Sequence, residues 1–492
     1  MKKLIYIFGT AAVLGFTGCE SFLDEPQPQQ SLPSDAAFNT VADLETGIIG
    51  MYNAGQDSDM FGTQTTMCPE IMTDNGTWRG SFPTYVDVSN LQVTADNGEL
   101  SGMWEHGYEV INHANLVLEA IPTVDDPALT QDVANRLRGE ALFMRGATHF
   151  EMVRFFGKPF SESSSGDLGI PIMTSAVATT DDITFPTRNT VGEVYTQAIA
   201  DLEEAASLLP ESNARGQANR FAALAYLAEI AFQQRDYARA ANLAQQVIDG
   251  PYTLTPEPVD FFVNEGSSEE IWAYIHTPQD NPGVNGSLPT FHHVNGRGGD
   301  VVVSQDLIEN GFGNIITPAQ QSAIDAEGLT VQDLRFTQLT STQEGAAEIF
   351  IEKYEGFANN DDDAPIHRLA KFLLMRAEAL ARTDGANDES LDLLNAVRTR
   401  ALRVVDADGN VDPKSDELVS FEAGDFASAD ELIEAIILER RVELTFEGNR
   451  LHDLQRLRRN IKDKPWDDPL VTWPVPQRDL DANSNLVQNP GY

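Results

Sequence analysis

Apolar residues recur at three- and four-residue spacing over long stretches of this chain, and turn-forming residues close each stretch. The clearest stretch is Arg220 to Asp249. Phe221, Leu224, Ala225, Ala228 and Ala231 share one face of a first helix, and Tyr237, Ala240, Ala241, Ala244, Val247 and Ile248 share one face of a second. Gln234-Arg235-Asp236 is the turn, with Asp236 placed to cap the second helix. The facing positions are mostly alanine, so the two axes can approach closely. One such hairpin cannot bury its own apolar face, so further helices must cover it. The same period predicts helices from Ser34 to about Tyr52, around Trp104, Tyr108, Ile111, Asn112 and Asn115, from Asp132 to Phe156, and from Val191 to Leu209. It returns at Ile366 to Arg382, Glu389 to Leu402 and Ala429 to Glu447. After an interruption at Gly448 it resumes from Asn449 to Asn460.

Two stretches break the pattern. Residues 55–100 carry no sustained period and read as a long loop with short irregular pieces. Residues 251–347 break it again, and His276 to Asp300 is turn-rich and too long for a simple connection, which points to function or disorder. The chain therefore reads as mainly α, built from helical hairpins with long irregular loops and little β structure.

Composition sharpens this picture. The 492 residues carry 33 Lys and Arg against 76 Asp and Glu, a formal net charge of −43. A surface this acidic repels nucleic acid and anionic lipid, so neither is expected as a partner. The excess is spread along the chain, as a solvated acidic surface or as attraction for cations. Two cysteines are present, Cys19 and Cys68. Lys2 and Lys3 precede an apolar run from Leu4 to Phe16, which is too short to span a bilayer as a helix. Leu14-Gly15-Phe16-Thr17-Gly18-Cys19 resembles a bacterial lipobox, which implies cleavage before Cys19 and lipidation of its thiol. Cys68 is then a free thiol. Glu20 to Pro33 is polar and proline-rich and reads as an extended tether.

Candidate chemistry is sparse. No zinc-protease, nucleophile-elbow or P-loop pattern occurs, and Gly311-Phe312-Gly313 lacks the third glycine of a dinucleotide site. His106 and His113 lie seven apart and read as surface or packing residues. His292 and His293 are adjacent and would point to opposite faces of an extended segment. Asp361-Asp362-Asp363 lacks EF-hand spacing and reads as an exposed acidic loop. The charges of 439–450 allow pairs one helical turn apart, Arg440 with Glu443 or Glu447 with Arg450, and read as structural. No catalytic residue, metal or cofactor is assigned. The first irregular stretch is more informative: Trp78, Phe82 and Tyr85 stand among Asp74, Asn75, Arg79 and Asp87. Flat aromatics stack on the C–H faces of sugar rings, and carboxylate, amide and guanidinium groups bond the hydroxyls. The same aromatics would equally serve as core.

The Arg220–Asp249 hairpin resembles a tetratricopeptide (TPR) unit. Several runs together resemble the SusD/RagB family of Bacteroidetes outer-membrane lipoproteins. They begin with Cys19-x-x-Phe22-Leu23-Asp24, Arg138-Gly139-Glu140-Ala141 through Arg145 to Phe156-Gly157, and Val194-Tyr195 with Asp201-Leu202-Glu203-x-Ala205. Leu374-Met375-Arg376-Ala377-Glu378-Ala379 and Asn395-x-Val397-Arg398-x-Arg400-Ala401 follow. Glu439-Arg440-Arg441-x-Glu443-Leu444, Phe446-Glu447-Gly448-x-Arg450-x-x-Asp453-Leu454, Pro474-Val475-Pro476 and Gln488-Asn489-Pro490-Gly491-Tyr492 complete the order. Leu457 and Leu451-His452 depart from the family's more aromatic pattern. The resemblance implies a SusD-like fold and a non-enzymatic, surface-exposed protein of the outer membrane. Such a protein binds oligosaccharide, or peptide in some members, and partners a SusC-like TonB-dependent transporter. It also implies a ligand site shared between the first loop region and the middle insertion, which adds Phe291, His292, Asn295 and Arg297 to the candidates. A glycosidase and a TPR adaptor remain as other readings. The expected division is a signal peptide at 1–18, a lipidated tether at 19–33, a TPR-like half at 34–255, a ligand-loop region at 256–347 and a SusD/RagB-like segment at 348–492.

Overall fold

The computed structural model describes residues 37–345 and 347–492. The signal segment, Cys19 and the tether lie outside the described residues. The first helix, α1, runs Val41–Gly55 and starts later than its sequence pattern predicts. Thr40 accepts from the Asp43 backbone N–H while the Asp43 carboxylate accepts from that of Thr40, and this capping box fixes the start.

The long helices are α4 Gly98–Ala120, α5 Gln131–Phe156, α6 Val191–Leu208, α7 Arg220–Gln233 and α8 Tyr237–Ile248. The C-terminal set is α9 Leu369–Asp384, α10 Asp388–Ala401, α11 Ala429–Glu443 and α12 Arg450–Leu457. Each helix packs on its successor from α4 to α9, and α9 then receives both α10 and α11. Close packing of α5 on α6 depends on Gly146, where a Cβ would lie 3.0 Å from the Ala198 carbonyl oxygen, Asp201 and Leu202. Asp201 then takes both arms of Arg145, at 2.8 and 2.6 Å, inside that seam.

Three features differ from the pattern-based reading. First, α7 has no outer face: every residue from Phe221 to Gln233 is buried. Its seam is covered by α6 and α8 and its other side by the Glu270–Tyr274 strand and α12, so this helix is interior scaffold. Second, residues 55–100 contain two short helices, α2 Gln64–Ile71 and α3 Pro83–Ser89. All of α2 is buried, so it has no polar face to create a period. Third, the charges of α11 pair across elements. Arg440 reaches Asp453 at 2.8 Å, and Glu443 takes Arg335, Arg368 and Arg400. Glu447 takes Arg368 and Lys353.

Among the described residues, eight strands form four two-stranded antiparallel sheets. They are β1 Gly76–Trp78, β2 Glu270–Tyr274, β3 Val301–Val303, β4 Thr330–Asp333, β5 Thr340–Thr342, β6 Ile349–Ile351, β7 Ala364–Arg368 and β8 Leu402–Val405. The pairs are β1–β3, β2–β7, β4–β8 and β5–β6, so the middle segment is tied to the chain on both sides. The fold is mainly α, with β structure confined to these ties.

Candidate ligand-binding site

The first irregular stretch and the middle segment meet through β1 and β3. Gly76 pairs with Val303 and Trp78 with Val301. The ladder extends at both ends: Arg79 N–H donates to the Asp300 carbonyl at 2.8 Å, and Ser304 N–H donates to the Asn75 carbonyl at 2.9 Å. This register sets Trp78, Phe82 and Tyr85 against Phe291. Trp78 and Tyr85 have ring centroids 4.9 Å apart, Tyr85 and Phe291 5.5 Å, and Phe82 and Phe291 6.4 Å.

Most of this cluster faces inward. Trp78, Tyr85 and Phe291 are buried, and they hold the two segments together as core. Burial pushes the Tyr85 hydroxyl well above its ordinary pKa, and Glu99 adds to the shift. Phe82 is only half-buried. The Arg297 guanidinium stacks over its ring, 4.2 Å from the centroid. Asp300 accepts from Arg297 Nε at 2.7 Å and Asn285 Oδ1 accepts from Nη1 at 2.5 Å. These two bonds hold the fork over the ring. Arg79 is exposed, faces Glu348 at 3.5 Å and lies over the Phe350 ring at 5.6 Å. Asn295 is exposed on the same segment, its backbone N–H donating to His293 Nδ1 at 3.0 Å.

The remaining sequence candidates are committed inside the protein. Asp74 takes both arms of Arg450 at 2.7 Å. Burial opposes its charge, and Arg450 and Arg441 outweigh that and lower its pKa. Asn75 donates to Glu70 at 2.8 Å and accepts from Arg441 Nε at 2.9 Å. His292 ends a short helix, Leu288–His292, rather than lying on an extended strand, and is fully buried against Tyr354 and Phe446. Its neighbour His293 is also buried, stacked on Phe357 and paired with Glu352 at 2.7 Å. Asp362 and Asp363 are also turned inward: Asp362 accepts from Gly356 N–H and Asp363 from His276 N–H.

The structure thus brings Arg297 onto Phe82, next to the buried Trp78, Tyr85 and Phe291, and leaves Arg79 and Asn295 exposed. It adds Asn285, Asp300 and Glu348, which the sequence pattern does not single out. Asn285 sits in the turn-rich run, a weak signal. Glu348 reaches Arg79 only through the β5–β6 hairpin, which lacks an alternating pattern long enough to detect. A concavity of about 590 Å³ lies elsewhere, lined by Trp104, Tyr108, Asn112, Phe185 and Asp479. Asn112 there bonds the Val177 backbone through both its amide nitrogen, at 3.1 Å, and its oxygen, at 2.7 Å.

Two family models match in chain order. Residues 21–232 match a SusD-like model described as starch-binding and associating with the outer membrane, and residues 350–463 match the SusD family model. This chain belongs to the SusD/RagB family. Among curated relatives, SusD-like protein P2 of Formosa agariphila is 26% identical over 536 aligned positions that span 100% of both chains. Starch-binding protein SusD of Bacteroides thetaiotaomicron is 24% identical, covering 100% of this chain and 99% of its own. Solved structures share the SusD fold. A putative sugar binding protein from Bacteroides vulgatus superposes with a TM-score of 0.76 at 24% identity, over 93% of this chain and 99% of that one. A SusD superfamily protein from B. thetaiotaomicron gives 0.77 at 22%, over 92% and 100%. The two SusD/RagB models leave residues 233–349 unmatched, and Phe291, Asn295 and Arg297 fall in that interval.

Proposed function

We propose that this SusD/RagB protein is a surface-exposed lipoprotein that binds oligosaccharide and delivers it to a SusC-like TonB-dependent transporter in the outer membrane. The observation that carries the reading is the Arg297 guanidinium over the half-buried Phe82 ring, held there by Asp300 and Asn285. A planar guanidinium on an aromatic ring offers an apolar face with N–H donors at its edge, which matches the alternation of C–H faces and hydroxyls on a sugar. Starch-binding and sugar-binding relatives support the ligand class. The lipobox-like run ending at Cys19 supports a lipid anchor. No described helix is long and apolar enough to cross a membrane.

The mechanism is capture, closure over the transporter and release, with no covalent step. Closure requires that the ligand favour the closed arrangement over the open one. The test is retardation in gels containing different polysaccharides, run beside calorimetry with peptides. Retardation by a glycan supports the reading; peptide binding without glycan binding would assign the peptide alternative instead. Globomycin treatment of producing cells should leave the precursor uncleaved. Normal processing would remove the lipid anchor from the proposal.

A further inference from the structure

The turn between α1 and α2 carries Asp57 and Asp59 against one face of α4, where Glu99, Gly102 and His106 follow at helical spacing. One carboxylate oxygen from each aspartate and a His106 ring nitrogen all lie within 4.8 Å of one another. Glu99 joins them through Gln64, whose amide nitrogen donates to Asp59 at 3.0 Å and to Glu99 at 2.9 Å. Among the described residues, no arginine or lysine forms an ion pair with Asp57, Asp59 or Glu99. Acidic groups alone are common on this chain, but three further observations point to a ligand.

Gln64 is fully buried and its Oε1 has no hydrogen-bond partner. An orphaned buried acceptor is costly. A half-turn of the amide about its last bond exchanges O and N and aims Oε1 at Asp59 and Glu99. That orientation is unfavourable against two bare carboxylates and favourable around a cation. The second observation is His106. Glu109 Oε2 lies 3.2 Å from its Nδ1, while Nε2 faces Asp57 at 3.7 Å, beyond hydrogen-bond range. A carboxylate holding one ring nitrogen so that the other is free is the usual support of a metal-bound histidine. The third is Gly102, in the interior of α4, where glycine costs about 1 kcal/mol relative to alanine. A Cβ there would lie 2.0 Å from Asp59 Oδ2, so the glycine makes room for this carboxylate.

We propose that Asp57, Asp59 and His106, with the Gln64 amide oxygen beside them, form a binding site for a divalent transition-metal cation of the Mn²⁺ or Zn²⁺ type. Carboxylate and amide oxygens with one imidazole suit these ions, and the imidazole disfavours calcium. The site braces the turn whose Thr63 hydroxyl donates to the Gly286 carbonyl, and so it ties α4 to the middle segment. It stands apart from the glycan reading, because the metal alone reads it out.

The test is calorimetry and thermal unfolding of the chelator-treated chain with Mn²⁺, Zn²⁺ and Ca²⁺, for the wild type, Asp59→Asn and His106→Gln. One equivalent of Mn²⁺ or Zn²⁺ should bind and raise Tm, and each substitution should weaken that binding by more than about tenfold. Without metal, Asp59→Asn should unfold at or above the wild-type temperature, because it relieves carboxylate crowding. That result also shows that the variant folds. Absence of any saturable cation, or binding that survives Asp59→Asn, would overturn the site. A Ca²⁺ preference indifferent to His106→Gln would overturn the assigned metal class.

Discussion

Trp78 and Phe82 lie four residues apart and make opposite predictions. Trp78 is buried between Tyr85 and Phe291, so Trp78→Ala should destabilise the fold by about 3–5 kcal/mol, measured by urea unfolding. Phe82 is half-buried beneath Arg297, so Phe82→Ala should remove ligand binding at a much smaller cost in stability. Sequence placed both rings in one chemically apt cluster, but the direction in which each ring points depends on the β1–β3 register, which is set by residues more than 200 positions away. His292 is a similar case. Burial lowers its pKa to about 4, against about 6.5 for an unfolded histidine. The unfolded state therefore takes up the proton first. The contribution of His292 to stability is complete above pH 6.5 and is lost as pH falls towards 4, at about 1.4 kcal/mol per pH unit. An NMR titration should find His292 neutral at pH 6; a midpoint near 6.5 would contradict its place in the core.

At the scale of elements, α11 and α12 fasten distant segments. Glu443 accepts from Arg368 at 2.7 Å and from Arg335 at 3.2 Å, and also from Arg400. Burial alone would raise this carboxyl, but Arg400, Arg368 and Arg335 outweigh it and hold it well below the usual range. Its contribution is thus present above the unfolded value of about 4.3 and is lost as pH falls below it. Glu443→Gln leaves these arginines short of a partner and should cost about 3–5 kcal/mol by urea unfolding, with less acid sensitivity than the wild type. Glu70 does related work for α12: fully buried, it accepts from the Asn449 and Arg450 backbone N–H groups at the helix start. The long amphipathic helices were legible from period alone, because each keeps a polar face. The buried α2 was not, having no such face, and the partners of α11 were not, because they come from segments spread from Asn75 to Asp453. Helical spacing offered nearer pairs that the fold does not use.

At the scale of the molecule, packed helices form a scaffold that presents one aromatic and guanidinium surface where two irregular segments meet. The SusD/RagB models cover most of the long helices and not the interval that supplies Arg297, which also holds α8. The order of motifs therefore gave the family, while the proposed binding surface depends on the three-dimensional pairing of β1 with β3. The most direct test of the account is calorimetric titration of the glycan that retards the wild type, repeated with Phe82→Ala, Arg297→Ala and, at the separate concavity, Tyr108→Ala. The account predicts that the first two substitutions abolish the binding heat while Tyr108→Ala leaves it intact. Full binding by Phe82→Ala and Arg297→Ala, or its loss in Tyr108→Ala alone, would contradict it.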